Sequence, residues 1–146
     1  MLESELGELL PLMRAYCDFY ETSPSDESLL ELSRALLADP AHEGVQLLAR
    51  DREGRACGFA TVFWSWDTTE GARIGIMNDL YVDPGARRGG LGAELIEACR
   101  EQCLARGAAR LEWLTAEGNR RAQALYDRAG AVRESWVVFT LPVRAG

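Results

Sequence analysis

The chain has 146 residues, 16 of them arginine and none lysine, against 23 acids, for a formal net charge of −7. That length suits one domain spanning 1–146, the acidity argues against a nucleic-acid partner, and no apolar run approaches a membrane span. Four cysteines without a C-x-x-C pair and a lone histidine, His42, disfavour a zinc site or disulfide framework, so no metal is expected. The start shows no export-signal pattern, and a cytoplasmic location is expected.

In chain order, Leu2 to Tyr20 and Asp26 to Ala38 place apolar residues three and four apart, which predicts two amphipathic helices. Ser23-Pro24-Ser25-Asp26 breaks them and supplies a cap. The period then shortens. Val45 to Arg50, Ala56 to Ser65 and Ile74 to Val82 predict three strands, joined through Asp51–Arg55 and the polar Asp67–Gly71, hence an antiparallel meander. Leu91, Leu95, Ala98, Cys99 and Cys103 form one helical stripe whose thiols should be buried, with Gly107 as its left-handed cap. Ala109 to Thr115 predicts a strand, Asn119 to Arg128 a helix, and Val132 to Leu141 a final strand or pair. A strand, crossover helix and strand in succession imply a parallel pair, so the fold class is α/β with a mixed, mainly antiparallel sheet and about four helices.

The most informative stretch runs from Leu80 to Gly92, where an apolar strand becomes the loop Arg87-Arg88-Gly89-Gly90-Leu91-Gly92 and then a helix. Helix N-termini present N–H groups without intrahelical partners, and glycines let a diphosphate approach them. A P-loop is excluded because it requires a lysine. A dinucleotide fingerprint fits poorly: Gly90-Leu91-Gly92-Ala93-Glu94-Leu95 lacks the third glycine, although Glu112 lies where a ribose-binding acid would fall. An antiparallel meander ahead of the loop also disfavours that fold.

The pattern Q/R-x-x-G-x-G/A does match, and it resembles the pyrophosphate loop of the GNAT superfamily of acetyl-CoA-dependent N-acetyltransferases. The resemblance runs from about Leu10 to about Leu141. Trp113-Leu114-Thr115-Ala116-Glu117-Gly118-Asn119-Arg120-Arg121-Ala122-Gln123-Ala124-Leu125-Tyr126, followed by Gly130-Ala131, is similar to the family's second cofactor segment. Tyr16-Cys17-Asp18-Phe19-Tyr20 and Asn78-Asp79-Leu80-Tyr81-Val82 resemble the branch of histone and polyamine acetyltransferases. This implies a GNAT-like twisted sheet whose parallel strands splay apart to admit the cofactor arm. The family's usual first strand is absent or truncated here, since the chain opens in helical pattern.

The resemblance further implies acetyl-CoA as cofactor, held by the amides from Arg88 through Gly89, Gly90, Leu91, Gly92 and Ala93, with Arg87 or Arg88 adding charge. Leu80, Tyr81 and Val82 would line the thioester arm, with a bulge near Val82 offering an N–H to its carbonyl. Tyr126, which helical spacing turns inward, is carried over as the general acid, with Asn119 as a cofactor contact. Polyamine acetyltransferases commonly have Glu-Asp where this chain has Asn78-Asp79. Asp79 is therefore the nearest base, acting directly or through an ordered water, or else a structural partner. Tyr20, Trp64, Trp66 and Trp136 are aromatic candidates for the walls of the amine pocket, beside Asn78.

Charge is unevenly split: residues 1–79 carry fifteen acids and six arginines, a balance of −9, and residues 80–146 ten arginines and eight acids, a balance of +2. An acidic first half suits a cationic amine and an arginine-rich second half a polyanionic cofactor, although ordinary solvated surface explains many of these charges equally well. The expected activity is direct acetyl transfer to a primary amine of a small molecule or protein. Two rivals stay open, a non-catalytic acyl-CoA sensor on the same fold and a nicotinamide oxidoreductase. Family members often dimerise, sometimes by exchanging C-terminal strands, which makes a homodimer through Val132 to Leu141 the expectation.

Overall fold

In the computed structural model, which describes residues 1–144, a four-stranded sheet in the order β1-β2-β3-β4 separates two apolar layers. A 3₁₀ turn at Glu3–Glu5 leads into α1 (Leu6–Phe19), and α2 (Asp26–Ala38) follows. Ser25 caps α2, its hydroxyl accepting from the Ser28 N–H at 3.1 Å, as the break between the helices predicts. Among the described residues no strand precedes α1, and β1 (Gly44–Arg50) is one edge of the sheet.

The strands β1, β2 (Ala56–Asp67) and β3 (Ala72–Val82) are the antiparallel meander. Because side chains alternate across a strand, β2 sorts its residues between the two layers. Phe59 joins Leu6, Leu9, Leu12, Met13 and Leu29 beneath α1 and α2. Ala60, Val62 and Trp64 face the opposite way, against Leu95, Ile96, Cys99 and Cys103 of α3 (Leu91–Ala105). Those two thiols are buried as the stripe predicts, and burial pushes that of Cys99 up to about 12. Gly107 ends the helix at φ +68°.

The crossover through α3 makes β4 parallel to β3, but β4 is only Leu111–Glu112 and pairs solely as Gly75 with Leu111 and Ile76 with Glu112. The sequence predicts seven strand residues; the structure keeps two. Beyond Ile76, β3 continues for six residues with no ladder on that side, so the parallel pair parts at its C-terminal ends. After β4 comes α4 (Arg120–Arg128), with Gly130 at φ +88°.

The predicted final strand is not formed. Among the described residues Val132 to Leu141 joins no strand, although Arg133 bonds Asp127, and Val132, Trp136, Val137, Val138, Phe139 and Leu141 are all exposed. Strand propensity needs a partner edge to become a strand, and among the described residues this segment finds none.

Candidate active site

One irregularity of register shapes the site. Thr61 and Val62 are consecutive on β2 but pair with Asp79 and Met77, so Asn78 is an extra residue in β3, a β-bulge. Met77 packs on the α3 side, and strict alternation would put Asp79 there too. The extra residue reverses the alternation. Asp79 therefore lies on the α1 side with Tyr81, while Leu80 and Val82 return to the α3 side. The resemblance places a bulge near Val82; the structure places it four residues earlier.

Around the Asp79 carboxyl are the hydroxyls of Thr61 and Tyr16 and the amide of Asn78, whose Nδ2 donates to Asp79 Oδ1 at 3.0 Å. Burial raises the Asp79 pKa above its ordinary value, opposed first by Thr61 and then by Tyr16 and Asn78. Tyr16 also reaches the Asn78 carbonyl at 3.3 Å. Burial, and then the nearby Asp79 charge, hold its phenol protonated. Tyr20 closes the C-terminal end of α1, its ring 5.0 Å from that of Tyr16. It also lies close enough to Tyr126 to raise that phenol's pKa.

Tyr126 reaches this group from α4. Its ring meets Trp113 edge to face at 5.2 Å. Burial is the largest cause of its raised pKa, Tyr20 adds to it, and a hydrogen bond with Thr115 opposes it. Trp113 and Thr115 follow β4 directly, so Tyr126 stands on the side of the parting opposite β3. The four groups Asp79, Tyr16, Tyr20 and Tyr126 thus gather at the C-terminal ends of the parallel strands.

The loop from β3 enters a 3₁₀ turn at Pro84–Gly89, then Gly90 at φ +76° opens α3 with no side-chain cap. Its first-turn amides carry the positive end of the helix dipole and have no intrahelical acceptors. Added Cβ atoms at Gly89 and Gly90 would meet nothing within 4 Å, so the approach is open, whereas Gly92 faces Leu125 of α4 at 3.0 Å. A diphosphate fits such a cradle. Leu91 and Ala93 stand in the same first turn.

Several residues singled out from the sequence lie elsewhere or are otherwise engaged. Trp64 is on the far face, its Nε1 donating to the Pro40 carbonyl at 2.9 Å and its ring beneath Arg106 at 5.0 Å. It cannot wall a pocket at Asp79. Trp66 is exposed beside Arg73, and Trp136 lies on the exposed C-terminal segment. Arg87 turns back from the loop, its Nε donating to the Val82 carbonyl at 2.8 Å, while Arg88 is exposed. Asn119 caps α4, its Oδ1 accepting from the Ala122 N–H at 3.2 Å.

Thr61 is a site residue that sequence reasoning missed, and Tyr16 and Trp113 entered it only inside motif blocks, with no role assigned. Thr61 sits in the apolar run Phe59-Ala60-Thr61-Val62-Phe63, where a buried hydroxyl demands a partner. That demand was the available signal.

The model of the Acetyltransferase (GNAT) family matches residues 9–131. The chain belongs to the GNAT acetyltransferase family. An uncharacterized N-acetyltransferase of Bacillus subtilis is 32% identical over 127 residues, covering 87% of this GNAT chain and 83% of that protein. The thialysine N-epsilon-acetyltransferase of Bos taurus is 27% identical over 151 residues, covering 94% and 86%. A crystal structure of a probable acetyltransferase superposes with a TM-score of 0.86 at 28% identity, covering 100% of this chain and 97% of that one. For a GNAT protein the observed sheet, with its parallel pair parted beside the glycine loop, is the expected architecture.

Proposed function

We propose that residues 1–146 act as one catalytic domain that transfers acetyl from acetyl-CoA directly to a primary amine of a small molecule. One juxtaposition carries this reading: β3 and β4 part after Ile76 and Glu112, next to an uncapped helix N-terminus, with Asp79 and Tyr126 at the gap. Acetyl-CoA supplies an acetyl group activated as a thioester. The amides of Gly90 to Ala93 would hold its diphosphate, and the edge of β3 from Leu80 to Val82 would line its arm.

An alkylamine of pKa about 10.4 is neutral to only roughly one part in a few thousand at pH 7, a deficit of about 5 kcal/mol. Asp79 addresses it by accepting the amine proton, directly or through one water. Its carboxyl is raised by burial yet hydrogen-bonded in the ionised form, which brings its proton affinity toward that of its task. Tyr126, protonated well into the alkaline range, holds a proton at Oη for the departing sulfur. Tyr20 and Asn78, both exposed, flank the amine's approach. The thialysine-acetylating relative supports a small primary amine as acceptor.

Two further readings belong to the same proposal. The exposed apolar segment Val132 to Leu141 supports a homodimer in which that segment lies on a second copy. Four free cysteines among the described residues suit a reducing compartment, the cytoplasm. Calorimetry with CoA, acetyl-CoA and NADPH, followed by an amine panel monitored through release of free CoA thiol, tests the function. Binding of CoA with turnover of a small amine supports it. Binding without turnover over small amines and peptide amines favours an acyl-CoA sensor, and NADPH binding in its place overturns the family chemistry.

A further inference from the structure

Gln46, Thr61 and Asp79 occupy matched positions on β1, β2 and β3, since Gln46 pairs with Thr61 and Thr61 with Asp79. All three side chains are on the α1 side, in a layer that is otherwise mainly apolar apart from the buried Ser33. Thr61 is completely buried and Gln46 is 4% exposed. Two neutral polar residues in a row beneath a helix are costly to keep, and their bonding shows what they do.

Gln46 Nε2 donates to Thr61 Oγ1 at 3.1 Å and lies 3.6 Å from Met13 Sδ. Thioether sulfur only accepts, and Ser33 Oγ already points at the same sulfur at 3.7 Å. Met13 thereby fixes the amide: turned over, Gln46 would aim an oxygen at an acceptor. The Gln46 oxygen is left buried with no hydrogen-bond partner, a cost in stability that a leucine would avoid. With its oxygen occupied by an incoming N–H, Thr61 has its own O–H free to donate, and Asp79, its cross-strand partner on the same face, offers the carboxylate as acceptor.

We propose that Gln46 and Thr61 are positioning residues for Asp79. Gln46 turns the Thr61 hydroxyl proton onto the carboxylate, which orients Asp79 toward the gap and offsets part of the cost of holding its charge there. The β-bulge at Asn78 is what brings Asp79 into this row. The other groups bearing on the carboxyl are Tyr16 of α1 and Asn78 of β3, neither of them charged. Tyr20 acts on Tyr16 and on Tyr126. The proposal rests on Asp79 as the base, and its test separates the two ideas.

The test titrates the Asp79 side-chain carboxyl by carbon-13 NMR in the cofactor-free protein, with Asp79→Asn to assign the resonance, alongside the pH profile of kcat/KM. Thr61→Val and Thr61→Ala both remove the hydroxyl but leave different volumes, so a folding defect in one does not decide the result. Either is expected to raise the Asp79 pKa and carry the acid limb of kcat/KM upward with it, by about one pH unit or roughly tenfold in rate below the limb. Thr61→Ser restores both, and Gln46→Leu gives a smaller shift of the same sign.

A folded Thr61→Val protein with unchanged Asp79 titration overturns the proposal. A moved titration with an unmoved acid limb overturns the positioning role, because Asp79 is then not the base. If the wild-type protein acetylates no amine, the proposed function falls alone, and the titration still decides whether the row controls Asp79.

Discussion

Asn78 has no cross-strand partner, and for that reason Asp79 faces α1 instead of α3. A single extra backbone residue turns a carboxyl away from the cysteine-lined core and into a pocket of hydroxyls and aromatic rings. Removing it would reverse every later side chain of β3.

Replacing Asp79 with Asn is expected to lower activity and raise stability at neutral pH. The folded state raises the Asp79 pKa, so it favours the protonated form. The stability linked to this group is complete below the unfolded pKa of about 3.9 and is lost as pH rises through the higher folded value. Asn keeps the shape without the charge. Its melting temperature should exceed that of the wild type by a few degrees at pH 7 to 8, with the gap closing near pH 4. An equal gap at both pH values would contradict the assignment.

Tyr126→Phe keeps the ring against Trp113 and removes only the hydroxyl. Turnover should fall by about 10²- to 10⁴-fold, while calorimetric affinity for CoA changes less than severalfold. Unchanged turnover across the amine panel removes Tyr126 from the acid role.

Gly75 is where β3, β4 and α3 meet, and a Cβ there would lie 2.5 Å from Cys103 Sγ and 3.2 Å from Trp64. Gly75→Ala should destabilise by on the order of 1–3 kcal/mol through overpacking. Denaturant melts of Gly75→Ala, Cys103→Ala and the double variant check it. The double variant should recover part of the loss, since the two sites share one space.

Ending the chain after Ala131 removes Trp136, Val137, Val138 and Phe139 with the rest of the exposed segment. Light scattering should report a dimer for the full chain and a monomer for the shortened one. Equal masses for the two would exclude the segment from assembly.

What is local in its physics was legible in the residues. Apolar spacing set α1, α2 and the α3 stripe, the Ser25 cap and Gly107 stop followed from backbone chemistry, and the glycines from Gly89 to Gly92 marked where α3 starts without a side-chain cap. What depends on a partner strand was not. The bulge at Asn78 exists only relative to Thr61 and Val62 of β2, and it decides that Asp79 meets Thr61 while Trp64 is left on the far face. The turned-back Arg87, the two-residue β4 and the unpaired Val132 to Leu141 are likewise settled by which acceptors and edges lie within reach. Propensity acts within a few residues along the chain, whereas register and face come from pairing across it, so only the tertiary structure could assemble the site.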